Sequence, residues 1–302
     1  MKKVVKRIIK TILWSVVGII GLLIVAFLLL RYVFLDEFME WQNTTLQQEY
    51  VAELKASAPY HADSIAYEFT YVQDSVAARE INEYFRLDTI VNPASTTWEN
   101  TLALAKFVSR NIPHGNQSKQ PVSRNAIALW KYTREVEPAF NCRMHAIMMH
   151  ELLMASGIDN RFITCLPADS TDTECHVVNV VWLPEREKWA MIDSDMQAWV
   201  SDADGTPLSL ADMRECYLSD SPMEIHPLSD ADKFQYGYYR RYWSKNIYWF
   251  EARVDAGYDK ETNPGGIYVA LVPPGSDAQT WALRQRKSVT TDATRFWAPP
   301  TR

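Results

Sequence analysis

Hydrophobic and polar positions change their period along this 302-residue chain, and each change predicts a different structure. From Ile12 to Leu30 there is no period: 19 uncharged residues, enough for about 28 Å of helix, roughly a bilayer's hydrocarbon core. A soluble core helix rarely stays apolar on every face for about five turns. A cleavable signal ends its apolar stretch in small residues, and "LLLRYVFLDEF" offers none. An uncleaved membrane anchor is therefore expected.

Beyond it the helical period takes over. "DEFMEWQNTTLQQEYVAELKA" reads as an amphipathic helix ending before Pro59, and 75–86 as another. "TTWENTLALAKFVSRNI" opens with Thr96 and Glu99 in capping-box spacing and stops before Pro113. A helix at about 123–134 precedes the most apolar one, "CRMHAIMMHELLMAS", with Asn141 as N-cap and Gly157 as its stop. There the period drops to two. "NRFITCL", "CHVVNVVWL" and "KWAMID" read as strands, the last two joined by a tight turn at "PERE". Helices followed by an antiparallel sheet predict an α+β fold. After Pro207 come a short helix ("LADMREC"), an aromatic block at 236–250 and a strand at 266–272.

Composition, 47% hydrophobic and 23% charged, agrees with a folded domain. Charge is distributed unevenly. Six of the 31 basic residues lie in the first 31 positions, which contain no acid, leaving 25 basic against 37 acidic residues, or −12, for the remainder. That balance excludes a nucleic-acid partner. The basic cluster before the anchor places the N-terminus in the cytoplasm and everything after Arg31 outside, periplasmic or extracellular. Four cysteines (142, 165, 175, 216) make no disulfide scaffold, although Cys165 and Cys175 lie on consecutive strands and leave a bridge open.

The candidate chemistry starts at Cys142. As first residue of a helix it meets unpaired N–H groups and the positive end of the dipole, which favour a thiolate and a developing oxyanion. His176 opens the middle strand. Hairpin arithmetic, with the turn at 184–186, sets it opposite 193, 194 or 195, which read Asp, Ser, Asp. A carboxylate there would orient the imidazole, and register alone leaves Asp193 and Asp195 open. His145 and His150 share the cysteine helix; Cys142 and His145 have metal-ligand spacing but no third ligand, and His145 is expected to be structural. "SDADGTPLSLAD" aligns Asp202 and Asp204 with a calcium loop but puts Val200 and Ala211 at essential ligand positions, so it is a turn. The aromatic block packs as an accessory element, or alternatively lines a cleft.

Together, "NCRMHAIMMHELLMASGIDNRF", "HVVNVVW" and "WAMID" resemble the transglutaminase-like superfamily over about residues 95–200. The resemblance implies a papain-like core, with Cys142 as nucleophile, His176 as base and Asp193, rather than Asp195, as orienting carboxylate. It requires no metal and no organic cofactor. Asn141 and Arg143, beside the cysteine, depart from the family pattern and are expected to bear on substrate fit. The expected organisation is a cytoplasmic basic segment (1–11), a transmembrane signal-anchor (12–30), a juxtamembrane helical region (32–94), a transglutaminase-like core (95–206) and an aromatic-rich accessory region (207–302). The expected activity is amide cleavage through an acyl-enzyme on a peptide or protein, of the cell envelope by location. The alternatives are acyl transfer to an amine and a non-catalytic envelope-binding module.

Overall fold

The computed structural model describes residues 2–72, 74–263, 265–285 and 287–301. Its N-terminal helix, Lys2–Leu29, passes through one wide π turn, Leu30–Phe34, into the helix Leu35–Ala56. Residues Lys3–Leu29 are long and apolar enough to cross a membrane, and their large side chains point outward on all sides. The second helix lies against the helix Tyr236–Asn246. Gly237 allows this approach, because a Cβ there would collide with a Glu40 carboxylate oxygen. Arg240 then pairs with Glu40 at 2.8 Å.

Six strands form the central sheet in the order Ser288–Thr290, Tyr268–Leu271, Trp249–Arg253, Asn160–Leu166, His176–Leu183, Lys188–Ile192. All neighbours are antiparallel except the edge pair of the first two. The fold is mixed helix and sheet, as the periods imply. Three strands that fall after Pro207, Trp249–Arg253, Tyr268–Leu271 and Ser288–Thr290, join the same sheet, so the C-terminal region completes the core layer.

Alternation sorts the strand side chains between two apolar clusters. Val177, Val181, Ala190 and Ile192 face the Cys142–Ala155 helix, and Val178, Val180, Trp189 and Met191 face Trp243 and Phe250. With helices on both faces, the middle strand is apolar except for His176 and Asn179, as suits a doubly covered strand. The Cys142–Ala155 helix is enclosed by three others, Ser75–Phe85, Thr97–Asn111 and Ala126–Glu135, and every residue from Met144 to Ala155 is buried. Gly157, at φ 75°, ends it, with the Gly157 and Ile158 N–H groups donating back to Met154 and Leu153. At that end Glu151 accepts the Ala126 and Asp259 N–H groups, both at 2.6 Å, and burial raises its pKa to about 7. All four cysteines are free. The ladder sets Cys165 against His176, leaving Cys175 one residue out of register for a bridge.

Candidate active site

Asn141 has extended backbone angles and accepts the Met144 N–H at 3.1 Å, so the helix begins at Cys142. The Cys142 and Arg143 N–H groups belong to the turn that has no carbonyl partner within its own helix. Just before, Phe140 exchanges backbone hydrogen bonds with Pro113 and Gly115, at 3.0 and 2.8 Å. That bridge brings His114 to the helix tip.

His176 Nε2 hydrogen-bonds Asp193 Oδ2 at 2.7 Å, with both side chains sealed from solvent. The hairpin register falls at one end of the range that sequence arithmetic left open. Asn179 pairs with Ile192, so His176 projects opposite 195 and Asp193 is its diagonal neighbour on the same face. Regular pairing stops at Ile192, where Asp193 bridges to Ala198. Asp193 Oδ1 accepts the Met196 N–H at 2.9 Å, locking the carboxylate into its own turn. Tyr242 and Trp243 press edge-on against the imidazole at 5.2 and 5.3 Å. Burial alone would push His176 toward its neutral form. The Asp193 charge and hydrogen bond, with Cys142 alongside, overcome it and raise the pKa well above the ordinary histidine value.

The structure thus brings Cys142, His176 and Asp193 together, and it adds Asp195. Cys142 Sγ, a His176 ring nitrogen and an Asp195 carboxylate oxygen all lie within 4.8 Å of one another. Asp195 accepts from His114 Nδ1 at 2.8 Å, and buried His145 stands 3.6 Å away. Burial lowers the His145 pKa despite Asp195, so that ring is neutral structural packing. Arg143 turns away from the cleft to pair with Glu261 at 3.1 Å and lie against Tyr268 and Phe162. The expectation that it shapes substrate fit is corrected by that pairing: its charge is spent on Glu261, outside the cleft lining. The cleft holds about 850 Å³, and His114, Glu174, Gln197, Asp230, Tyr238 and Tyr242 are among its walls. A second cavity of about 490 Å³ beside the Leu35–Ala56 helix contains Cys216 but no histidine.

Sequence reasoning missed His114, whose position depends on a single bridge with no periodic signature. It also missed the support role of Tyr242 and Trp243. Their helical spacing from Tyr239 was legible, but not the element they press on.

Residues 85–194 match the transglutaminase-like superfamily. Among solved structures, a candidate cysteine protease from Cytophaga hutchinsonii is similar at 13% identity and TM-score 0.32, covering 53% of this chain and 55% of that one. A candidate protease from Parabacteroides distasonis is similar at 11% identity and TM-score 0.26, covering 51% and 27%. This chain therefore spans about half the length of the first and about a quarter of the second. No curated protein matches. The segment 85–194, which matches the transglutaminase-like superfamily, carries Cys142, His176 and Asp193.

Proposed function

We propose that this chain is a membrane-anchored cysteine enzyme that cleaves amides in peptides or proteins outside the cytoplasm, through an acyl-enzyme at Cys142. The observation that carries the reading is the His176 imidazole, held by buried Asp193 at 2.7 Å with the Cys142 thiol beside it. The match of residues 85–194 to the superfamily supports a cysteine enzyme in general.

In the proposed reaction Cys142 gives its proton to His176 and its sulfur attacks the amide carbonyl. Asp193 stabilises the resulting imidazolium. The free N–H groups at the helix start receive the negative oxygen. His176 returns the proton to the departing amine, leaving a thioester. Water then attacks the thioester, with His176 taking its proton, and the carboxylic acid leaves as the thiol is restored. An amine in place of water would make the reaction acyl transfer. Water is favoured because Asp195 keeps the tip of the cleft polar and the cleft stands open to solvent.

The anchor reading rests on the apolar helix, the lysines ahead of it and the exposed Phe34, Phe38 and Trp41 just past it, a girdle suited to the membrane–water interface. It puts the catalytic region outside, with the 32–94 and 207–302 regions serving as its support.

Alkylation of Cys142 by iodoacetamide, followed against pH by mass spectrometry on the full chain in detergent, tests the reading. A solvated thiol labels with a midpoint near pH 8.5, about the free-cysteine value. A thiolate held beside a His176 imidazolium reacts below that midpoint, so under this reading labelling should already be fast in mild acid. His176→Ala should return the midpoint to the free-thiol range. An ordinary profile indifferent to that substitution would leave the triad unassembled and favour a binding module.

A further inference from the structure

We propose that the tip of the cysteine helix is also a zinc-binding site, formed by Cys142 Sγ, His176 Nδ1 and an Asp195 carboxylate oxygen, in which the ion reversibly masks the thiol. The site does not depend on the proposed function, because the three atoms would hold the ion whether or not they turn over a substrate.

The donor set suits zinc: one thiolate, one imidazole and one carboxylate, with a fourth position open to water. Three separate elements present them: the start of the Cys142–Ala155 helix, the start of the His176–Leu183 strand and the turn after Ile192. Tetrahedral zinc with bonds of about 2.0–2.3 Å needs donor atoms about 3.3–3.6 Å apart. These atoms are already within 4.8 Å of one another, so closure takes at most about 1.5 Å, within reach of the Cys142 and Asp195 side-chain rotations.

What distinguishes the arrangement from a chance cluster is the layer behind the donors. Imidazoles that bind zinc usually pass their other N–H to a carboxylate, fixing the ring and raising its basicity. Here Asp193 accepts the Nε2–H hydrogen bond at 2.7 Å, which leaves Nδ1 as the ring nitrogen for the ion. Asp195 is fixed in turn by His114 Nδ1 at 2.8 Å. Cys142 lies where the helix dipole favours a thiolate. Charge balances as well. Thiolate and carboxylate carry two negative charges that the ion neutralises, which matters where Asp195 is only 5% exposed.

No redox step is involved. Cys142 and His176 share one proton, whichever of them carries it, and the ion displaces that proton to solvent. A bound ion occupies the sulfur lone pair and the ring nitrogen, so Cys142 can neither attack nor be alkylated.

Cobalt(II) titrated into the full-length chain in detergent reads the site without any substrate. We expect a thiolate-to-cobalt charge-transfer band in the near ultraviolet with intense visible bands of a tetrahedral ion. The band should disappear in Cys142→Ser and persist in Cys175→Ser. Asp195→Asn should weaken binding at least about tenfold, and His114→Gln, which removes only the support, by about tenfold. Zinc added to the unmodified chain should slow iodoacetamide labelling of Cys142 but not of Cys216, a measurement that needs no variant to fold. A band that survives Cys142→Ser, equal affinity in Asp195→Asn, or unprotected Cys142 at millimolar zinc would overturn the proposal. Loss of substrate turnover with metal binding intact would count only against the hydrolase reading.

Discussion

Asp193 and Asp195 lie two residues apart in one turn, both buried, each hydrogen-bonded to a histidine at nearly the same distance, 2.7 and 2.8 Å. Their surroundings make them different groups. Asp193 faces His176, whose side chain is 2% exposed beneath Tyr242 and Trp243. Asp195 faces His114, whose side chain is 61% exposed at the cleft rim. The first pair interacts through protein, where charge is weakly screened; water and salt weaken the second. Only the first can hold an imidazolium against a thiolate. A carboxylate–histidine pair becomes a proton-handling device when the histidine is sealed, and a polar wall of the cleft when it is not.

Removing each carboxylate charge gives the sharpest way to break this comparison, because the two effects should have opposite sign. Asp193→Asn deprives the sealed ring of its counter-charge and presents an amide able to hold the wrong tautomer. Hydrolysis of a model ester, or alkylation of Cys142 at neutral pH, should fall by about 10²–10⁴-fold. Asp195→Asn removes a negative charge within 4.8 Å of the sulfur, so alkylation in mild acid should quicken, by about tenfold at most given the solvent beside His114. Equal losses in both variants would mean that the pairs work as one unit. The raised His176 pKa carries a stability consequence too. The protonated ring's contribution is fully present below the ordinary histidine value of about 6.5 and is lost as pH rises through the elevated one. Asp193→Asn should flatten that part of a stability–pH profile.

Next in size is the aromatic backing. Trp243 is 1% exposed and packs on both His176 and Tyr239. Trp243→Ala should cost about 3–5 kcal/mol of stability by leaving a cavity. Denaturant unfolding in detergent, followed by circular dichroism, checks it. Trp243→Phe, which still fills the space behind the ring, should recover most of the stability and of the Cys142 labelling rate. An alanine variant with unchanged labelling would show that Asp193 alone orients His176.

How much of this was legible in the sequence follows the range of each interaction. The helix caps at Thr96 and Asn141, the Gly157 stop and the change of period after it depend on neighbours within four residues, and the structure has each where the pattern puts it. Beyond three strands, only Tyr268–Leu271 was legible as a strand, and its place in the sheet was not. Trp249–Arg253 adds to Asn160–Leu166 across more than 80 residues, and its aromatic sequence suits a strand, a helix or a cleft wall equally. The same holds for the site. Cys142 and His176 stand out through local position, helix start and strand start. The family resemblance favoured Asp193 over Asp195; by register alone the choice required knowing that the ladder ends at Ile192, one residue before the turn that aims Asp193 back at the ring. His114 had no signal, since a bridge to Phe140 alone carries it to the cleft.

The smallest expected effect concerns the residue that fixes where the nucleophile begins. Asn141 caps the cysteine helix through its side-chain oxygen, and Asn141→Ala should cost about 0.5–2 kcal/mol, with a few-fold loss of Cys142 labelling as the first turn frays. Aspartate caps as well as asparagine. If capping were all that mattered, Asn141→Asp would restore both properties. It also places a formal negative charge next to the sulfur, opposing the thiolate that the helix start favours. Asn141→Asp should therefore recover the stability lost in Asn141→Ala but label Cys142 more slowly than either asparagine or alanine in mild acid. Thermal unfolding and alkylation on the same samples separate the two contributions. Recovery of both would leave the neutral cap without an electrostatic reason; recovery of stability alone would assign the choice of asparagine to the charge state of the neighbouring thiol.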